Sequence, residues 1–231
     1  MSLFNKLFGS KKPEENNTSP VINVNNNNTN DVIKAASLSD YNKRIELNPN
    51  DANAYYFRGN EKSKLEDYEG AIDDYNKALK LNPNFVDAYY NRGIARRNLE
   101  NHRGALQDYT MVISLNPKFV HAYNNRGITK REIGNYGGAI EDYNKAIELN
   151  PNYEEAYINR GNTRNELKNH IGAIEDYNKA IELNPNNSEA YNNRGIAKYD
   201  LGDQDGAYLD WNKAGELGST AAYDNLKKFC K

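Results

Sequence analysis

From Asn48 to Leu217 the apolar, small and polar positions of the chain return every 34 residues without an insertion. Asn-Pro pairs recur at Pro49, Pro83, Pro117, Pro151 and Pro185. One aromatic row runs through Tyr55, Tyr89, Tyr123, Tyr157 and Tyr191. A second runs through Tyr75, Tyr109, Tyr143 and Tyr177 and closes with Trp211. Between them lie a glycine row (Gly59, Gly93, Gly127, Gly161, Gly195) and an alanine row (Ala71, Ala105, Ala139, Ala173, Ala207). Within a unit the spacing is helical. In the second, Phe85, Ala88, Tyr89, Gly93 and Leu99 fall near one face, and Ala105, Leu106, Tyr109, Val112 and Ile113 mark another. Asn101 stands between the two stretches as an N-cap, a place taken by Asp67, Asn135, Asn169 and Asp203 in the other units. Proline cannot continue a helix and disfavours one just before itself, so each Asn-Pro closes the second stretch. The pattern predicts five two-helix hairpins. The small residues let the helices approach and the aromatic row fills the space between neighbours.

Unit length, small-residue rows, aromatics and closing proline together resemble the tetratricopeptide repeat. The resemblance implies an all-α, right-handed solenoid of five helix hairpins at 48–81, 82–115, 116–149, 150–183 and 184–217. Tyr41–Leu47 repeats the pattern of Tyr75–Leu81, so 31–47 is predicted to be an N-terminal capping helix. Residues 218–231 are predicted to be a C-terminal cap, with Tyr223, Leu226 and Phe229 inward and Lys227, Lys228 and Lys231 outward. A terminal repeat has no neighbour, so solenoids need such caps.

Two basic rows depart from the family pattern. Arg58, Arg92, Arg126, Arg160 and Arg194 stand where an apolar residue is usual, and Lys62, Arg96, Lys130, Arg164 and Lys198 follow four residues on. Both rows share the face that should be covered. A buried guanidinium needs an acid, and Asp74, Asp108, Asp142, Asp176 and Asp210 recur in step with the arginines. Helical rise puts each arginine and the following aspartate at similar heights from their shared turn. A ladder of structural Arg–Asp pairs is expected, with the second basic row lying along neighbouring rings. A basic stripe for an acidic peptide is the other reading.

In the resembled family the first helices line a concave groove for an extended or helical peptide. Carried over, the groove row is Asn91, Asn125, Asn159 and Asn193, similar to an asparagine ladder that grips a peptide main chain with a donor and an acceptor per amide. The alternative is that each Asn bonds within its own hairpin. Tyr56, Tyr90, Ile94, Asn124, Ile128, Arg131, Ile158, Asn162 and Asn192 complete the peptide-binding set, and Ile196 continues its apolar positions. Along this groove Lys64, Arg97, His121 and Arg131 come early, and Glu155, Glu166, Glu189 and Asp200 late, a sign change that could orient a partner. The lysines of a chaperone-type carboxylate clamp are missing from the matching places, so no such clamp is expected.

Composition narrows the function. The chain has 231 residues, 38% of them hydrophobic, and 30 basic against 32 acidic side chains, which gives no global attraction to nucleic acid. No apolar run is long enough for a membrane span. Cys230 is the lone cysteine, which excludes an internal disulfide or a Cys-based zinc site. No histidine pair has metal spacing, and no phosphate loop or nucleophile elbow occurs. Asp203–Gly206 lacks the first and last ligands of a calcium loop. No catalytic residue, metal or cofactor is therefore expected, and the function read is a non-catalytic interaction scaffold for a protein or peptide. Residues 13–30, with eight asparagines and two prolines, are predicted to be a disordered linker. Residues 1–12 place Leu3, Phe4, Leu7 and Phe8 beside Lys6, Lys11 and Lys12, a short amphipathic segment. It supports an alternative reading, membrane-surface contact by a tethered assembly factor. Self-association of the solenoid is a third. With no export signal, a cytoplasmic protein is expected.

Overall fold

The computed structural model describes residues 38–229. The segments 1–12 and 13–30, the first part of the N-terminal cap, Cys230 and Lys231 lie outside the described residues. Those described form twelve α-helices and no strand. Helix α1 is Leu38–Leu47. Five hairpins follow: α2 (Ala52–Lys64) with α3 (Tyr68–Leu81), α4 (Val86–Asn98) with α5 (His102–Leu115), α6 (Val120–Glu132) with α7 (Tyr136–Leu149), α8 (Glu154–Glu166) with α9 (His170–Leu183), and α10 (Ser188–Asp200) with α11 (Gln204–Glu216). Helix α12 is Thr220–Phe229.

The second helix of every hairpin starts on its cap. The carboxamide or carboxylate oxygen of Asp67, Asn101, Asn135, Asn169 or Asp203 accepts the backbone N–H of the glycine three residues on, at 2.9 to 3.1 Å. First helices start differently. Asp51 and Asn187 cap α2 and α10 by side chain, whereas α4, α6 and α8 begin at Phe85, Phe119 and Tyr153 with no side-chain cap. Two of these residues trade the cap for ring contacts on the preceding unit, Phe85 with Tyr56 at 4.7 Å and Phe119 with Tyr90 at 5.0 Å between centroids. The turn between the helices passes through the left-handed region. Gly134 and Gly202 hold it in the third and fifth units, while Glu66, Glu100 and Lys168 do so in the others at φ of 61°, 58° and 66°. A side chain there costs about 1–2 kcal/mol, which the packed hairpin absorbs.

The core is repetitive. The alanine row and the second aromatic row are at most 1% exposed. Each glycine of the first helix lies flat against the ring facing it: a Cβ added to Gly93 would stand 2.7 Å from Tyr109 Cε1, so only glycine allows this approach. At the C-terminal end Phe229 packs on Tyr199 at 4.7 Å and on Trp211 at 5.8 Å. Tyr223, expected inward, is 52% exposed. Its ring lies beside Gly215, and its hydroxyl donates to the Gly215 carbonyl at 3.2 Å.

Candidate functional site

The two basic rows converge on one carboxylate per unit. Arg92 donates from Nε to Asp108 Oδ2 at 3.0 Å and from Nη2 to Oδ1 at 2.6 Å, and Arg96 Nη1 reaches the same Asp108 at 2.9 Å. Asp74, Asp142, Asp176 and Asp210 receive Arg58, Arg126, Arg160 and Arg194 in the same way, together with Lys62, Lys130, Arg164 and Lys198. The second row therefore does not lie along neighbouring rings. It shares the aspartate, and in the first four units it also donates to a glycine carbonyl in the first turn of the second helix. The arginine's remaining nitrogen crosses to the previous unit, as from Arg92 Nη1 to Asn76 Oδ1 at 2.6 Å. Each guanidinium also lies 5.3 to 5.7 Å from the ring of the tyrosine three residues earlier. Every cation of this spine has a carboxylate partner, although each unit sets two cations on one aspartate.

First helices of successive hairpins also contact one another, so their side is the tighter, inner one. The asparagine row knits this contact. Asn91 Nδ2 donates to Asn60 Oδ1 at 2.9 Å and Tyr56 Oη at 3.2 Å, Asn125 to Tyr90 Oη at 2.8 Å, Asn159 to Asn124 Oδ1 at 3.0 Å, and Asn193 to Asn162 Oδ1 at 3.0 Å. Each of these amides donates to the preceding unit, and Asn193 Nδ2 also reaches Glu189 Oε1 of its own helix at 3.5 Å. Asn124, Ile158, Asn162, Asn192 and Asn193 are buried, as is Ile196. Asn192 is held from three sides, by Asn193, Asn225 and Trp211. These residues are packing elements beneath the surface. Those left half-buried on the inner side are Tyr56, Tyr90, Asn91, Ile94, Asn125, Ile128, Arg131 and Asn159.

Charge on this side is uneven. The Nη1 of half-buried Arg97 is shielded from solvent and has no hydrogen-bond partner among the described residues. Tyr90 and Tyr109 stand close enough to feel its charge, and burial still raises both phenols, Tyr90 to about 12. Two and three units on, partial desolvation raises the Glu166 and Glu189 carboxyls above their ordinary value of 4.5, against the opposing pull of Arg131. His121 Nδ1 pairs with Tyr153 Oη at 3.0 Å. Sequence reasoning placed Phe85 on a helical face but missed the row of aromatic helix starts that it forms with Phe119 and Tyr153, although their 34-residue step was visible.

The sequence matches the family models described as TPR repeat, over 59–100, 129–167 and 161–202, and as tetratricopeptide repeat, over 86–119. The first of these alone spans half of the chain. The chain belongs to the tetratricopeptide repeat family. Proteins of this family are generally non-catalytic scaffolds for protein–protein interaction. A search of curated proteins finds no match. Among solved structures the chain is similar to the MamA protein, at 28% identity over 77% of this chain and 94% of that one, with a TM-score of 0.65. It is similar to a tetratricopeptide repeat protein from Parabacteroides merdae, at 25% identity over 84% and 77%, TM-score 0.63. It also shares the fold of YrrB, described as a TPR protein with an unusual peptide-binding site, at 22% identity over 83% and 100%, TM-score 0.65. As a tetratricopeptide repeat array, the described region has no helix long and apolar enough to cross a membrane. It also has no group of three or more His, Cys, Asp or Glu that could hold a metal ion.

Proposed function

We propose that this protein is a cytoplasmic, non-catalytic scaffold that holds a segment of a partner protein along the inner side of its first helices, centred on α4 and α6. The observation that carries the reading is Arg97. A guanidinium nitrogen out of reach of water and without an acceptor is costly, and its neighbours Tyr90, Ile94, Asn125, Ile128 and Arg131 stay half-buried on the same side. A partner carboxylate or carbonyl would meet the open edge of the Arg97 guanidinium rather than its enclosed Nη1, and apolar side chains beside that group would cover the half-exposed tyrosine and isoleucines. Asn91, Asn125 and Asn159 support the groove wall through the bonds that their amide nitrogens already make. Beyond Arg131 the acidic Glu166 and Glu189 favour a basic or neutral end of the same segment, which orients it.

The test is affinity capture with the full chain beside its Arg97→Gln/Arg131→Gln form, read by mass spectrometry. Neither arginine belongs to the aspartate spine, so the variant keeps its helical circular dichroism. A partner held by the parent and lost by the variant supports the reading. A partner retained equally by both removes the inner side from the account.

A further inference from the structure

The outward face of α5 differs from its counterparts. On α7, α9 and α11 the equivalent face carries an ion pair, Lys145 with Glu148 at 2.7 Å, Lys179 with Glu182 at 2.7 Å and Lys213 with Glu216 at 3.0 Å. On α3 the same two places hold Lys77 and Lys80. On α5 they hold Met111 and Ser114, with Thr110 in place of the asparagine found in every other unit. Gln107 likewise replaces the acid of Asp73, Glu141 and Glu175. A shallow, largely open hollow of about 650 Å³ lies on this face. The described residues lining it, Arg103, Leu106, Gln107, Thr110, Met111 and Ser114, all come from α5. Met111 is 41% exposed there. Surface ion pairs add little stability, but they keep an outward helix face wet. Their loss beside a hollow leaves a contact surface.

The chain carries an occupant of matching chemistry. Leu3, Phe4, Leu7 and Phe8 repeat at a spacing that sets four apolar side chains on one side of two helical turns, with Lys6, Lys11 and Lys12 around them. Residues 13–37 connect this stretch to α1. A connector of that length and composition has a root-mean-square reach of about 25–30 Å, and an extended limit of about 80–90 Å. Four helix-to-helix steps of about 8–10 Å separate α1 from α5, so the hollow lies within reach. Tethering raises the local concentration into the millimolar range, enough for a weak apolar contact to fill. The acids Asp73 and Glu141, exposed on the second helices of the units on either side, offer the three lysines partners at the rim. We infer that Leu3, Phe4, Leu7 and Phe8 of this chain's own N-terminal segment dock in the hollow on the outward face of α5. This outer contact is independent of the inner groove.

The test places a photo-crosslinking benzoylphenylalanine at position 8 of the full chain, irradiates a dilute solution and maps the products. The expected result is a product of monomer mass with crosslinks within 103–114. Met111→Glu, on an exposed position that keeps the fold, lowers the yield by about ten-fold. Lys145→Ala, on the equivalent place of α7, leaves it unchanged. Crosslinks scattered over other helices overturn the inference. A product of twice the mass also overturns it, in favour of a second copy as occupant. Crosslinks that form only to lipid, in vesicles containing phosphatidylserine, overturn it in favour of a membrane contact.

Discussion

Arg92 stands between two hairpins, bound sixteen residues forward to Asp108 by two hydrogen bonds and sixteen residues back to Asn76 by a third. The same arginine thus ties its own second helix to the one before it, and repetition of the motif turns five hairpins into one array. Asp108 is 2% exposed and also holds Arg96. Asp108→Ala leaves two cations facing a buried, unpaired site, and the expected loss is about 3–5 kcal/mol. Arg96→Lys is expected to change stability by less than about 1 kcal/mol, since Lys62, Lys130 and Lys198 fill the same place in other units. Urea unfolding followed by helical circular dichroism measures both. Equal losses for the two variants would contradict a shared aspartate.

Tyr109 and Tyr177 occupy the same place in different units and differ in their hydroxyls. Tyr177 donates to Asn162 Oδ1 at 2.7 Å, whereas the Tyr109 hydroxyl is buried without a partner, because Ile94 stands where Asn162 stands. Tyr177→Phe is expected to cost about 1 kcal/mol, and Tyr109→Phe nothing or slightly less than nothing. Ile94→Asn, which supplies the missing acceptor, should make Tyr109→Phe costly. Thermal midpoints of the four variants test this, and a large loss for Tyr109→Phe alone would refute it.

Glycines of the array divide by what faces them. At Gly127 a Cβ would meet Tyr143 Cε1 at 2.6 Å, while nothing lies within 4 Å at Gly137. Gly127→Ala forces the ring or the helix to move and should destabilise by about 1–3 kcal/mol. Gly137→Ala lies inside α7 and should stabilise by about 0.4–1 kcal/mol by restricting the unfolded chain. The same unfolding experiment reads both, and matching signs would sink the argument.

Glu189 gives the inner side a pH signature. Desolvation raises its carboxyl above 4.5, so the folded chain holds this proton more tightly than the unfolded chain. Its contribution to stability is complete below about 4.5 and is lost as pH rises through the folded value. Glu189→Gln removes that loss. The variant should gain on the parent between pH 4.5 and pH 7, with the gap in thermal midpoint widening upward. A gap that does not change with pH would show that Glu189 titrates as in water.

Much of this was legible in the residues. Rows at 34-residue steps disclosed the hairpins, and Asp67, Asn101, Asn135, Asn169 and Asp203 marked the helix starts, because capping is local chemistry within three residues. The asparagine row was legible as a row but not in its direction. Whether Asn125 turns its amide outward or toward Tyr90 depends on how two units dock across 35 residues, which periodicity does not encode. Pairing arginines with aspartates one to one likewise sent Lys62 and its row to neighbouring rings, whereas a carboxylate with two oxygens accepts two cations. Burial of Asn192 and Asn193 beneath the last units follows from the docking of α12 through Asn225 and from the inward bond to Asn162, neither visible as a repeat.

The central claim, a partner segment held on the inner side near Arg97, is tested most directly by amide hydrogen exchange on the full chain with its captured partner. The account predicts added protection along α4 and α6 and little change along α5 and α7, and loss of that protection in the Arg97→Gln/Arg131→Gln form. Protection confined to the second helices, or unchanged by the two substitutions, would contradict it.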